Sequence, residues 1–437
     1  MGSQASHTNS HAPRGSDAAP GFLLADFDSK KSSIDEMVAD ALRSMREHLS
    51  MDIGFVSEFR EGRRVFRHVS SLQEAAPIRV GDSSPLEESY CQRVVDGRLP
   101  GLIRDASLEP AARELPVTTA LPVGAHLSVP ISFSDGSVYG TFCCFSYAPD
   151  QSLTERDLGM MRHLATFLGR QIERESETQR EGELKKDRVQ SVLDAGNFVT
   201  FYQPIVALDE RRVVGFEALT RFLAEPNRPP DQWFNEAAEV GLQQQLELAT
   251  ITKAISCLKQ FPSDAYVGLN ISPETILGGS LAGVLSRTPL HRVVLEVTEH
   301  AVVSDYANIT EVLAPLRRQG LALAVDDAGA GFASFRHILK LEPDIIKLDR
   351  SLIQAIDTDR DRRALAAALI RFAQETDAEI IAEGVETGAE LHALRDLGVR
   401  KAQGYLIGRP APPSATLFQE HDESFGQAHD YQLLCNH

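Results

Sequence analysis

Between residues 198 and 407 the chain repeats one pattern, a short apolar run followed by a longer amphipathic one. The short runs lie at 198–206, 213–217, 266–271, 293–297, 321–325, 345–348, 379–382 and 402–407. Each is long enough for a buried strand and too short to cross a membrane. Helical stretches such as 361–375 separate most of them. Strand-length runs alternating with helices specify an α/β fold. The roughly 225 residues from 198 to 420 that hold this series favour a closed (β/α)8-type barrel over an open doubly wound sheet.

The ends of these strands carry the chemistry. Residues 321–325 are apolar and run directly into Asp326 and Asp327. Two adjacent carboxylates repel unless a cation sits between them or one stays protonated. Taken alone, the pair reads as an acidic surface turn. Other strands end in the same way. Glu217 closes 213–217, Asn270 lies at the end of 266–271, and Glu296 and Glu299 sit in 295–299. Lys347 and Asp349 stand near the end of 345–348, Glu383 and Glu386 follow 379–382, and Gln403 opens the last run. In a barrel the carboxyl ends of the strands meet at one mouth. Several carboxylates with one amide make a site for hard cations. Histidine and cysteine are missing from it, which argues against zinc. Two divalent ions would balance the clustered acids and suit in-line displacement at phosphorus.

With those positions laid out, residues 198–415 resemble the EAL domain, the barrel phosphodiesterases of cyclic di-GMP. The name motif is Glu217-Ala218-Leu219, and Tyr202-Gln203-Pro204 precedes it. Asn270-Ile271-Ser272, Leu295-Glu296-Val297-Thr298-Glu299, Asp326-Asp327, Ile346-Lys347-Leu348-Asp349, Ala382-Glu383-Gly384-Val385-Glu386 and Gln403-Gly404-Tyr405 follow in order. The resemblance implies that Glu217, Asn270, Glu296 and Asp326 hold a first cation, Mg²⁺ or Mn²⁺. Asp326 would be shared with a second cation, held also by Asp327 and Glu383. It further implies that Lys347 positions or deprotonates the attacking water, that Glu383, Glu386 and Gln403 support catalysis, and that Gln203 and Arg221 contact substrate. A guanidinium suits a phosphate as a charge-assisted fork. Glu299 would hold the loop after Asp327. A lysine among carboxylates stays cationic, and so orients water better than it abstracts protons. The implied reaction opens one phosphodiester to give linear pGpG.

One segment departs from the family pattern, Phe-Gly-Thr-Gly-Tyr-Ser-Ser-Leu. This chain has Ala328-Gly329-Ala330-Gly331-Phe332-Ala333-Ser334-Phe335. The glycines survive, while a threonine and a tyrosine hydroxyl are lost. The alternative to an enzyme is a weak or inactive EAL domain that binds cyclic di-GMP and passes on a signal. Such domains often lose the name-motif glutamate, a metal ligand or the lysine, and all three are present here. No Gly-Gly-Asp-Glu-Phe cyclase motif occurs.

The earlier half of the chain reads as a different kind of domain. Residues 1–32 are polar and small, which predicts a disordered tail without a signal peptide. A helix from Ser33, a hairpin over 52–69, a second over 125–145 and a helix from Thr154 predict an α+β domain with an antiparallel sheet. Its strands Phe55-Val56-Ser57-Glu58-Phe59, Leu127-Ser128-Val129-Pro130-Ile131 and Val138-Tyr139-Gly140-Thr141-Phe142-Cys143-Cys144-Phe145 resemble those of a GAF domain over residues 33–175. That family implies a sensor of an unnamed small molecule or a dimerisation module. Strand alternation puts Cys143 and Cys144 on opposite faces. Buried thiols usually act as small hydrophobes, so Cys91, Cys143 and Cys144 read as core, and His126 as a satisfied polar residue.

Thr154 is a helix N-cap, with Glu155 rather than an acid in the third position after it. Leu158, Met161, Ala165, Leu168 and Ile172 then form a heptad seam, which Val189 and Leu193 resume across a charged linker at 176–197. That seam fits either a signalling helix paired in a homodimer or a helix packed on its own domain. The barrel is expected over 198–420 and a tail over 421–437. The net charge of -18 disfavours polymeric nucleic acid as a partner. The lack of a membrane span and of a disulfide or zinc spacing among the five cysteines points to the cytoplasm.

Overall fold

The computed structural model describes residues 33–73, 76–298, 305–329 and 333–418. The chain forms two compact units that divide between Glu181 and Gly182, inside the expected linker.

The first unit is built on a six-stranded antiparallel sheet. Its strands are β1 (Ile53–Arg60), β2 (Arg63–Ser71), β3 (Ser83–Pro85), β4 (Leu102–Ile103), β5 (Ala125–Ser132) and β6 (Val138–Ser146), in the order β3-β2-β1-β6-β5-β4. The helix Ile34–His48 starts at a capping box between Ser33 and Glu36. Its buried face, with Leu158, Met161, Ala165 and Leu168, covers one side of the sheet. Cys144 lies in that core. Cys143 points to the other side, among Phe55, Tyr90, Cys91 and Ile103. Alternation therefore separates the two cysteines as expected, and because both faces are covered, both are buried.

The helix Glu155–Ala195 supplies residues to both units. Its first seam is used within its own unit, where Leu158, Met161, Ala165 and Leu168 are fully packed. The intramolecular alternative thus accounts for this stretch. Further along, Val189 and Val192 are buried with Phe198, Trp233 and Leu246, while Leu193 is only partly buried. A three-residue step, not the four-residue step of the expected seam, faces inward there. At the start of this helix, Asp157 accepts hydrogen bonds from the backbone N–H and hydroxyl of Thr154. Contrary to expectation, this helix does carry a third-position acid, Asp157.

The second unit is a closed eight-stranded barrel. Its strands are β7 (Phe198–Ala207), β8 (Arg212–Phe222), β9 (Tyr266–Asn270), β10 (Val293–Thr298), β11 (Ala322–Ala328), β12 (Ile345–Leu348), β13 (Glu379–Ala382) and β14 (Lys401–Ala402). Strands β8 to β14 run parallel, while β7 is antiparallel to both β8 and β14. The link from β7 to β8 covers only residues 208–211, too short for a crossover helix, so that pair forms a hairpin. The hairpin ladder continues to Phe198 opposite Phe222, so Glu217 lies inside β8 and not at its end. The last strand stops at Ala402, because Ile407 and Gly408 both donate to the Gly404 carbonyl in a turn. Gln403 therefore follows β14.

The barrel wall obeys the two-residue period of strands. Val293, Leu295 and Val297, then Leu321, Leu323 and Val325, face outward and join the core shared with the helices. Val294, Ala324, Ile345 and Ile381 form an inner apolar layer with Ile205 and Val214. Two residues further along the chain stand Glu296, Asp326 and Lys347 on their strands and Glu383 just past the end of β13. The charged group is thus the next layer on a packed apolar floor.

Candidate active site

Lys347 is the hub. It is fully buried, and its Nζ lies 2.7 Å from Glu296 Oε2, 2.7 Å from Glu383 Oε1, 3.1 Å from Asp326 Oδ1 and 3.8 Å from Glu217 Oε2. Glu217, Glu296 and Asp326 are buried as well. Burial alone would lower the lysine's pKa, but the four carboxylates outweigh it and hold the ammonium well above its usual value. Burial pushes the Glu296 carboxyl up to about 8, with Lys347 opposing and Glu217 and Asp326 adding to the rise. Burial likewise holds Glu383 well above the usual carboxylate range.

Two groups of carboxylates converge closely enough to share an ion. Oxygens of Glu217, Glu296 and Asp326 lie within 4.8 Å of one another, and so do those of Asp326, Asp327 and Glu383. Asp326 belongs to both. In a regular strand, neighbours such as Asp326 and Asp327 would point to opposite faces. The β11–β12 register shifts between Val325 and Ala328, and Asp327 takes a left-handed backbone with φ 58°. This bulge re-aims the second carboxylate toward the first. Aspartate tolerates that conformation better than most residues. The backbone N–H of Asp327 donates to Asp326 Oδ1 at 3.0 Å, which fixes the pair.

Amides hold Glu217. Gln403 Nε2 donates to Glu217 Oε2 at 2.5 Å and to Gln203 Oε1 at 3.0 Å. Gln203 Nε2 in turn donates to the Gly408 carbonyl at 3.0 Å. Both polar ends of Gln203 are therefore engaged within the protein. Asn270, exposed at the end of β9, donates to Glu217 Oε1 at 3.4 Å. Arg221 lies further along β8, donates to the Thr220 carbonyl at 2.9 Å, and sits 5.8 Å from the Phe201 ring centre. Glu386 pairs with Arg350 at 2.7 Å. Asp349 accepts from the Ser351 N–H and caps the helix Arg350–Ile353, so its carboxylate serves that turn. Glu299 and the loop residues Ala330, Gly331 and Phe332 lie outside the described residues.

The residues present fit divalent cations. The donors are hard oxygens. Five carboxylates and one lysine carry a formal charge of minus four when all are ionised, which two divalent ions cancel. Gln403 Oε1 is buried and has no hydrogen-bond partner among the described residues. Such a group costs free energy unless something polar faces it.

Three supporting residues escaped the sequence reading. Gly268 leaves room for Glu296, since a Cβ there would stand 2.1 Å from Glu296 Oε1. Glu247 accepts from the N–H and hydroxyl of Ser272 and fixes the turn after Asn270. Glu390 accepts from the backbone N–H of Ala355, Glu386 and Thr387 and so orders the Glu386 segment. Burial would raise its pKa, but these donors bring it below the usual range. Thr387-Gly388-Ala389-Glu390 is a capping box, a signal legible in the sequence.

Comparison with known proteins agrees with this geometry. The family model described as EAL domain matches residues 186–410, and the one described as GAF domain matches residues 31–173. The cyclic di-GMP phosphodiesterase RocR of Pseudomonas aeruginosa is 31% identical over 50% of this chain and 59% of its own length. The probable cyclic di-GMP phosphodiesterase PdeD of Escherichia coli is 30% identical over 49% of this chain and 42% of its own. The matched segment thus spans less than two-thirds of either relative. The EAL enzyme Bd1971 in its cAMP-bound form aligns over 84% of this chain and 92% of its own, with a TM-score of 0.51 and 18% identity, a likeness of fold. The EAL match covers more than half of the 437 residues and contains every acid of the two carboxylate groups, so the chain belongs to the EAL-domain family, with a GAF domain preceding the barrel.

Proposed function

We propose that this chain hydrolyses cyclic di-GMP to linear pGpG with two divalent cations, Mg²⁺ or Mn²⁺, held at the barrel mouth. The observation that carries the reading is Asp326, whose carboxylate belongs to both converging groups. The chain's likeness to RocR, a cyclic di-GMP phosphodiesterase, and to PdeD, a probable one, supports it. Bound there, a pair of cations supplies Lewis-acid activation of water and neutralises charge gathering at phosphorus. Glu217, Glu296 and Asp326, with Asn270 beside them, would hold one ion. Asp326, Asp327 and Glu383 would hold the other.

The chain's own groups do the rest. Lys347 stays cationic among the acids and orients the attacking water toward phosphorus. Water attacks in line as the bond from phosphorus to the 3′ oxygen breaks. Gln403, braced by Gln203, keeps Glu217 turned toward the mouth. Arg221 offers its guanidinium to a phosphate, and Glu386 with Arg350 shapes the rim. Glu299 is assigned to steadying the loop after Asp327. The GAF domain, as a homodimer partner or through a small ligand, sets the rate, and the reaction belongs to the cytoplasm. Among the described residues no helix is long and apolar enough to cross a membrane.

The test is product analysis with the purified full chain. Cyclic di-GMP should be converted to pGpG with Mn²⁺ or Mg²⁺, and conversion should stop with a chelator. Binding without turnover under both metals, at several protein concentrations, would contradict the proposal and leave a binding module.

A further inference from the structure

The other face of the GAF sheet holds a group of side chains with no part in the barrel chemistry. Cys91, on the helix Tyr90–Val95, and Cys143, on β6, are both fully buried, with their sulfurs 3.7 Å apart. Most buried thiols sit among hydrocarbon. These two do not. Cys143 Sγ lies 3.1 Å from Ser128 Oγ and 3.2 Å from Thr141 Oγ1. Cys91 Sγ lies 3.9 Å from Ser57 Oγ and accepts from Arg64 Nη1 at 3.5 Å.

Arg64 lies buried against this pair. It is only 6% exposed, and its partners are Cys91, Ser84 and the rings of Phe55 and Phe66. Among the described residues no carboxylate pairs with it, and its Nε has no hydrogen-bond partner. A buried guanidinium requires a counter-charge. Among the described residues the one ionisable acid it touches is the Cys91 thiol. Burial would raise that thiol's pKa, but the Cys143 hydrogen bond and the Arg64 charge lower it to about 5.

Cys144 is the internal control. It is the next residue on the same strand and equally buried, in the apolar core with Leu42, Met45 and Met161. Arg46 lies near enough to act on it, but among the described residues no hydrogen bond joins its sulfur to a polar group. Burial pushes its thiol up to about 12 against the opposing charge of Arg46. The sequence reading of cysteine as a small hydrophobe describes Cys144 well. It does not describe the Cys91–Cys143 pair. His126 also departs from expectation, since it is buried against Tyr90 with Nδ1 unpartnered among the described residues.

We propose that Cys91 and Cys143 form a reversible redox site, which a small neutral two-electron oxidant of the peroxide class converts to a disulfide. The Cys91 thiolate attacks one peroxide oxygen, the O–O bond breaks, and hydroxide leaves. Cys91 becomes a sulfenic acid, and its sulfur has lost two electrons. Cys143 then attacks that sulfur, the S–O bond breaks, and the Cys143 proton leaves with the oxygen as water. The sulfurs close from 3.7 Å to about 2.05 Å. A dithiol supplies two electrons and two protons to reverse the change. Because both sulfurs are shut off from solvent, the oxidant must be compact enough to enter through local opening. The bond ties the helix Tyr90–Val95 to β6, in the middle of the sheet.

The test uses the reduced full chain treated with hydrogen peroxide, blocked with N-ethylmaleimide under denaturing conditions, and digested without reductant. Mass spectrometry should find a linked peptide joining Cys91 to Cys143 within one chain, lost on adding dithiothreitol, with Cys144 alkylated. Cys143→Ser should leave Cys91 as a sulfenic acid that dimedone traps. Arg64→Met should slow formation of the linked peptide about tenfold or more. A folded wild-type chain in which Cys91 and Cys143 stay alkylated after peroxide would overturn the proposal, whether or not the variants fold. So would a linkage through Cys144, or an Arg64→Met rate equal to wild type.

Discussion

Asp327 donates its backbone N–H to the carboxylate of Asp326 at 3.0 Å while its own φ is 58°. Two adjacent strand residues thereby serve one site, and the bulge that allows it is part of the site. Asp327→Asn keeps a residue that tolerates the left-handed backbone but removes one charge. It should fold normally and lose at least about 100-fold in turnover. Asp327→Val should also lose about 1–3 kcal/mol of stability, because a β-branched residue is strained there. Thermal melts beside initial rates separate the two effects.

Glu296 depends on the absence of a side chain at Gly268. A Cβ at that position would stand 2.1 Å from Glu296 Oε1. Gly268→Ala should therefore weaken Mn²⁺ binding about tenfold or more by displacing a carboxylate, although residue 268 carries no donor of its own. Isothermal titration of the metal-free chain checks this, and unchanged affinity would remove Glu296 from the ion's ligands.

Lys347 neutralises charge inside the barrel. Lys347→Met leaves those carboxylates without their internal cation, so the metal-free variant should lose about 3–5 kcal/mol near pH 8. Saturating Mn²⁺ should recover part of that loss, because bound ions stabilise the state that holds them. Turnover should stay low even when the fold is recovered. Denaturant melts with and without Mn²⁺ provide the comparison.

The metal-free chain should lose stability as pH rises. The Glu296 carboxyl stands at about 8 in the folded chain against an ordinary 4.5. Between those values the folded state holds a proton that the unfolded state has released. That contribution is complete below about 4.5 and is lost as pH climbs through about 8. Cations compete with the same proton. The rise in melting temperature on adding Mn²⁺ should thus be larger at about pH 8.5 than at about pH 6. Equal increments would contradict the link between this proton and the metal.

The acids of the barrel mouth were legible because strand-length apolar runs lead up to them. Lys347, Glu296 and Glu383 stand at the ends of such runs, and the two-residue period brings them to one layer. Geometry that depends on partners was not legible. Glu217 lies inside its strand because a hairpin extends the ladder past it. The re-aiming of Asp327 comes from a register shift against β12, which no local propensity encodes. Gly268 and Glu247 act through neighbours distant in sequence. In the GAF unit the alternation of Cys143 and Cys144 was readable, but the approach of Cys91 and Arg64 required the folded sheet.

In the proposed site one aspartate, Asp326, joins two cation positions. Counting bound Mn²⁺ per chain by electron paramagnetic resonance tests it most directly. The wild-type chain should hold two ions, Asp327→Asn one, and Asp326→Asn neither at the same free Mn²⁺. An Asp326→Asn chain that still binds two ions, or a wild-type chain that never binds more than one, would contradict the account.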